Sequence, residues 1–81
     1  MPKLRVLSVR QVLSILAEFG FQHFSQRGSH IKLRRILADG RRQTLTVPNH
    51  EEFDRATLHA IYRQASRFIP ESALRSRFFA D

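Results

Sequence analysis

Apolar positions along this chain recur first at helical spacing, then in alternation, then again at helical spacing. Val9, Val12, Leu13, Leu16 and Phe19 follow one another three or four residues apart, the signature of a helix with one buried face. Ser8 stands where an N-cap is needed, and Gln11, three residues on, completes a capping box. Leu7 and Val12 flank that cap as a hydrophobic staple. Gly20 suits the left-handed position beyond the last turn, from which Phe21 folds back on Leu16. Together these signals predict a helix from Val9 to Phe19.

Three strands are expected next, over Phe21–Gln26, Ser29–Leu37 and Arg42–Val47. In the second, Ile31 and Leu33 alternate with His30, Lys32 and Arg34. In the third, Leu45 and Val47 alternate with Thr44 and Thr46. Strand side chains point to opposite faces in turn, so the odd positions of both strands point inward. Residues that face each other must then have numbers with an even sum. A two-residue Asp39-Gly40 turn would pair Ala38 with Arg41 and set Leu33 against outward Thr46. A three-residue loop, Ala38-Asp39-Gly40, pairs Leu37 with Arg41, Leu33 with Leu45 and Ile31 with Val47, and puts Gly40 in the left-handed bulge position. That register wins on core burial. It also aligns His30 with Pro48, Lys32 with Thr46 and Arg34 with Thr44. The first hairpin is less constrained: with Arg27-Gly28 as a two-residue turn, His23 would face outward beside Lys32.

Pro48-Asn49-His50 ends the sheet, and Asp54 is a fitting N-cap for a second helix. Leu58, Ile61, Tyr62, Ala65, Phe68 and Ile69 supply its apolar face. Pro70 either stops that helix or starts a short final one ending near Arg77. The order helix-strand-strand-strand-helix predicts an α+β fold of two layers: a three-stranded antiparallel sheet with two helices on one face. The other face is left to solvent and carries His30, Lys32, Arg34, Thr44 and Thr46.

Eighty-one residues, 42% hydrophobic and 26% charged, suit a single domain over residues 1–81 rather than a disordered chain. Lys and Arg outnumber Asp and Glu by 14 to 7, an excess that favours a polyanionic partner, nucleic acid or an acidic protein. The charge is concentrated. Arg27, Lys32, Arg34, Arg35, Arg41 and Arg42 lie in one stretch whose only acid is Asp39. The chain has no cysteine, which rules out disulfides and thiolate metal sites. No apolar run is long enough for a membrane span, and the N-terminal residues do not read as a signal peptide, so a cytoplasmic location is expected.

The chemistry concentrates in Gln26-Arg27-Gly28-Ser29-His30-Ile31-Lys32-Leu33-Arg34-Arg35. An imidazole among fixed cations suits binding or cleaving a phosphodiester. Cleavage without a metal needs a base for the 2′-hydroxyl proton, an acid for the leaving 5′-oxygen and cations for the charge that builds on phosphorus. His30 is the candidate base, with Arg27, Lys32 and Arg34 as candidate cations. Gly28 would let a substrate backbone approach, and Ser29 would bond phosphate or, more in keeping with its place, the turn. A lone histidine on a basic strand is also a common solvated side chain. His50 is read as a loop histidine, with the role of acid as its alternative, and His59 as a solvated residue of the second helix. No histidine pair has helical ligand spacing, so no metal site and no cofactor is expected.

These residues resemble the HicA toxins, small ribonucleases of bacterial toxin–antitoxin pairs. The resemblance rests on Gly20-Phe21, Gln26-Arg27-Gly28-Ser29-His30, Asp39-Gly40-Arg41-Arg42, Thr46-Val47-Pro48 with His50, and Ala56-Thr57-Leu58 through Arg63-Gln64-Ala65. It implies a variant of the double-stranded-RNA-binding fold. It also implies a metal-independent endoribonuclease acting on mRNA, a catalytic histidine at His30, and silencing by a HicB-type antitoxin. Ala56 and Ser66 stand where the family often has glycine, and Ser72 to Asp81 carry little of the resemblance. The alternative function is a non-catalytic RNA-binding module of the same fold, which needs positive charge at position 30 but no imidazole.

Overall fold

The computed structural model describes residues 2–80. Its elements run β1 (Lys3–Leu4), α1 (Val9–Glu18), β2 (Gln22–Arg27), β3 (His30–Ile36), β4 (Arg42–Pro48), α2 (Arg55–Ala65), α3 (Glu71–Phe78) and β5 (Phe79–Ala80). The expected α+β architecture is present, with the antiparallel sheet ordered β2-β3-β4. Of the two readings of Pro70 the second holds, a short final helix, α3; the added feature is a two-stranded sheet in which β1 pairs with β5.

Both ends of α1 are built by local hydrogen bonds. The Ser8 side chain accepts from the Gln11 backbone N–H at 3.2 Å, and the Gln11 side chain accepts from the Ser8 N–H at 2.8 Å. At the other end the Gly20 N–H reaches the Ala17 carbonyl and the Phe21 N–H the Leu16 carbonyl, both at 3.0 Å. This is a Schellman motif, and Gly20 has the positive φ of 92° that it requires. Asp54 caps α2 by accepting from the Thr57 N–H at 2.7 Å.

The β3–β4 hairpin has the register that core burial demands: Ile31 opposite Val47, Leu33 opposite Leu45, His30 opposite Pro48. The Leu37 N–H donates to the Arg41 carbonyl at 2.8 Å across the three-residue loop. Ile31, Leu33, Leu45 and Val47 are all buried against α1 and α2 through Val12, Leu16, Leu58, Ile61 and Ala65. No polar or charged residue joins that buried set among the described residues. Sheet and helices thus hold each other by apolar burial, and the opposite sheet face stays uncovered.

Two polar clamps fix the layers in register. Arg35 turns to the helix side of β3 and donates to Gln43 Oε1 at 2.6 and 3.0 Å. The same guanidinium reaches the Phe19 carbonyl at 3.0 Å and the Phe68 carbonyl at 2.9 Å, and it lies over the Phe21 ring. Gln64 on α2 accepts from the Thr46 N–H and donates to the Thr46 carbonyl, at 2.9 and 3.0 Å. It thereby closes part of the free edge of β4, as a neighbouring strand would.

Candidate active site

The site grows from the β2–β3 hairpin, and here one expectation is corrected. The two turn residues are Gly28 and Ser29, with Arg27 directly opposite His30, not Arg27 and Gly28. Gly28 has φ of 58° and Ser29 does not have a positive φ. Glycine at the first central position with positive φ is the type II′ pattern, whose twist suits a hairpin. A register shift between His23 and Ser25 then inserts a bulge at Phe24. His23 consequently pairs with Leu33, and it is Ser25 that stands opposite Lys32. β2 is exposed along its whole length, so no buried alternation holds it to the other frame.

The turn is pinned from behind. The Asn49 N–H donates to the Ser29 carbonyl at 2.6 Å, tying it to the segment just past β4. Ser29 therefore serves the turn through its backbone. A β-carbon built on Gly28 would meet nothing within 4 Å, so this glycine answers to backbone conformation and leaves open space above it.

Ser25, Gln26, Arg27, His30 and Lys32 line an open cleft of about 400 Å³ on the sheet. His30, Arg27 and Lys32 are exposed, and no lining residue is acidic. β-carbons directly across a strand pair lie about 5 Å apart, so the Arg27 side chain rises beside the His30 imidazole. Lys32 stands two residues along β3 on the same face and lines the same cleft. A phosphate in the cleft would meet an imidazole and two cations together. Ser25 escapes a reading of the sequence because its place opposite Lys32 follows from the Gly28-Ser29 turn, and no buried alternation in β2 selects that turn.

Arg34 shares the face but does not line the cleft. Its Cζ lies 3.4 Å from the centroid of the Phe24 ring, and its Nε is buried without a partner. The His50 ring centroid lies 6.0 Å from that of Phe53, and His50 does not line the cleft. His59 is exposed on α2. Among the described residues no group of three or more His, Cys, Asp or Glu could hold a metal ion, and no helix is long and apolar enough to cross a membrane.

The family model described as HicA toxin of bacterial toxin–antitoxin matches residues 9–66. The chain belongs to the HicA toxin family. The matched segment runs from α1 through the C-cap of α2 and so includes the whole three-stranded sheet and the cleft. α3 and β5 lie beyond it. Among curated proteins and solved structures, none matches the chain. The two departures from the HicA pattern fall where the backbone does not require glycine. Ala56 is an exposed residue in the first turn of α2. Ser66, the C-cap, has φ of −65° and bonds its hydroxyl to the Tyr62 carbonyl at 2.8 Å.

Proposed function

We propose that this HicA-family toxin is a metal-independent endoribonuclease that cleaves mRNA in the cytoplasm. In this reading it is the toxin of a type II pair and is held silent by a HicB-type antitoxin. The observation that carries the reading is the cleft itself, where His30 shares the lining with Arg27 and Lys32 and no lining residue is acidic.

His30 acts as general base and takes the proton of a ribose 2′-hydroxyl. The 2′-oxygen attacks the adjacent phosphorus, and the bond from phosphorus to the 5′-oxygen breaks. A 2′,3′-cyclic phosphate is left, and the departing 5′-oxygen takes up a proton from solvent water to end as a 5′-hydroxyl. General acid–base assistance of this kind is worth roughly 10²–10⁴ in rate. Arg27 and Lys32 face the phosphoryl oxygens, where fixed cations stabilise the transition state more than the substrate. The space above Gly28 admits the RNA backbone, Ser29 holds the turn, and Arg34 extends the cationic face along β3.

Purified protein should cleave single-stranded RNA in excess EDTA and leave cyclic phosphate ends. RNA carrying a 2′-deoxy sugar at the cleaved position should stay intact. Activity lost on chelation and restored by magnesium or zinc would contradict metal independence. Cleavage at the deoxy position would contradict attack by the 2′-oxygen.

A further inference from the structure

Phe24 has no part in the chemistry above, yet it stands on the same sheet face at the other end of the site. It is one of the large hydrophobic residues left exposed by the fold, with half of its surface open to solvent. Plain strand alternation does not hold it there; the bulge between His23 and Ser25 does. Arg34 lies over one face of the ring at 3.4 Å, an arrangement in which the guanidinium and the aromatic ring attract each other. The Nε of that guanidinium is buried and has no hydrogen-bond partner. The fold therefore sets an aromatic ring and a guanidinium face to face on a cationic surface.

Surfaces that take single-stranded nucleic acid combine these two elements: cations that follow the backbone, and flat side chains on which bases stack. An unpaired base also stacks on an arginine plane. We infer that Phe24 and Arg34 form a stacking platform for one unpaired nucleobase of the RNA whose backbone crosses the His30 cleft. Arg34 is four residues from His30 along β3, roughly 14 Å at ~3.4 Å per residue. The platform therefore takes a base flanking the cleaved phosphate rather than the nucleotide that reacts. A base inside a duplex cannot reach it, so the substrate is single-stranded at this point. The inference rests on the RNA reading of this face and adds a base subsite to it.

The chain has no tryptophan, so Phe24→Trp places a single fluorophore at the platform. The probe is a short 2′-O-methyl oligoribonucleotide, which cannot be cleaved by 2′-oxygen attack. Titrated as a single strand it should quench the Trp emission; annealed into a duplex it should not. Phe24→Ala, checked as folded by circular dichroism, should bind the single strand about tenfold more weakly. The slope of affinity against salt should not change, because no charge is removed. Three results would overturn the platform: emission unchanged at saturating single strand, equal quenching by duplex, or undiminished affinity in the alanine variant. The nuclease reading fails separately. Wild-type protein that cleaves no RNA, alongside a quenched Trp variant, would sink the ribonuclease and leave the platform standing. Cleavage without quenching would do the reverse.

Discussion

At the scale of single residues, the site depends on which side chains share a face. Lys32 and Arg34 lie on the open face with His30, whereas their neighbour Arg35 is turned to the helices. Net charge treats the three cations alike; geometry does not. Changing Lys32 and Arg34 together to Ala should weaken RNA binding and flatten its salt dependence. The log–log slope should fall by about 0.7 for each single-strand phosphate that the variant no longer neutralises. Arg41 is the control, because it sits in the β3–β4 loop with its Nε 2.7 Å from Asp39. Binding titrations at several salt concentrations read all of these. A slope unmoved in the double variant but reduced by Arg41→Ala would move the RNA away from the cleft and onto the loop.

At the scale of elements, Arg35 does for the layers what no apolar side chain does. Its guanidinium ties β3 to Gln43 on β4, to the carbonyl that ends α1 and to the segment after α2. Arg35→Ala should cost about 2–3 kcal/mol, since hydrogen bonds to charged groups are worth about 1.5–3 kcal/mol and carbonyls are left unpaired. Lys cannot span the same acceptors with one ammonium, so Arg35→Lys should recover little. A urea midpoint close to wild type in Arg35→Ala would contradict the clamp. At the start of α2, hydrogen bonds from the Thr57 side chain and backbone hold the Asp54 carboxyl below its usual range, with the His50 charge assisting. A lowered folded pKa gives stability that is present above the ordinary carboxylate pKa and lost as pH falls through the folded one. Asp54→Asn keeps an acceptor but removes the titration. Its melting temperature should therefore fall less than that of wild type between about pH 5 and pH 2; an equal fall would contradict it.

The elements also show what was readable in the sequence and what was not. The β3–β4 register followed from four inward residues, Ile31, Leu33, Leu45 and Val47, whose parity excludes the two-residue loop and admits the three-residue one. The α1 boundaries followed from Ser8, Gln11 and Gly20, which act locally. β2 offered no such constraint. None of its side chains is buried, so shifting its frame leaves the core unchanged, and the Phe24 bulge and the Gly28-Ser29 turn stayed hidden. His30 stood out as a candidate because a motif marks it. Phe24 did not, because an apolar residue in a strand reads first as core. α3 buries only Leu74 and Phe78, too sparse a stripe to decide between the two readings of Pro70, and β1 and β5, at two residues each, were not foreseen.

At the scale of the whole molecule, the helices, β1 and β5 gather on one side and leave the site free on the other. Phe79 meets Tyr62 edge-on at 5.1 Å, and Phe78 packs on the same ring at 5.5 Å. The Arg5 N–H donates to the Phe78 carbonyl at 2.8 Å, and Arg77 forms an ion pair with Glu18 of α1. α3 and β5, which lie outside the segment matched to the HicA family, thus fasten the N-terminal strand and α1 to the body without approaching the cleft. Because His30 is exposed on the uncovered face, its removal opens no cavity. Function and stability should separate cleanly there. The most direct measurement is RNA cleavage by purified His30→Ala, with circular dichroism and thermal melting run on the same sample. Wild-type folding with cleavage abolished is the predicted result. Full cleavage by the folded variant would contradict the assignment of His30 as the base and, with it, the proposed mechanism.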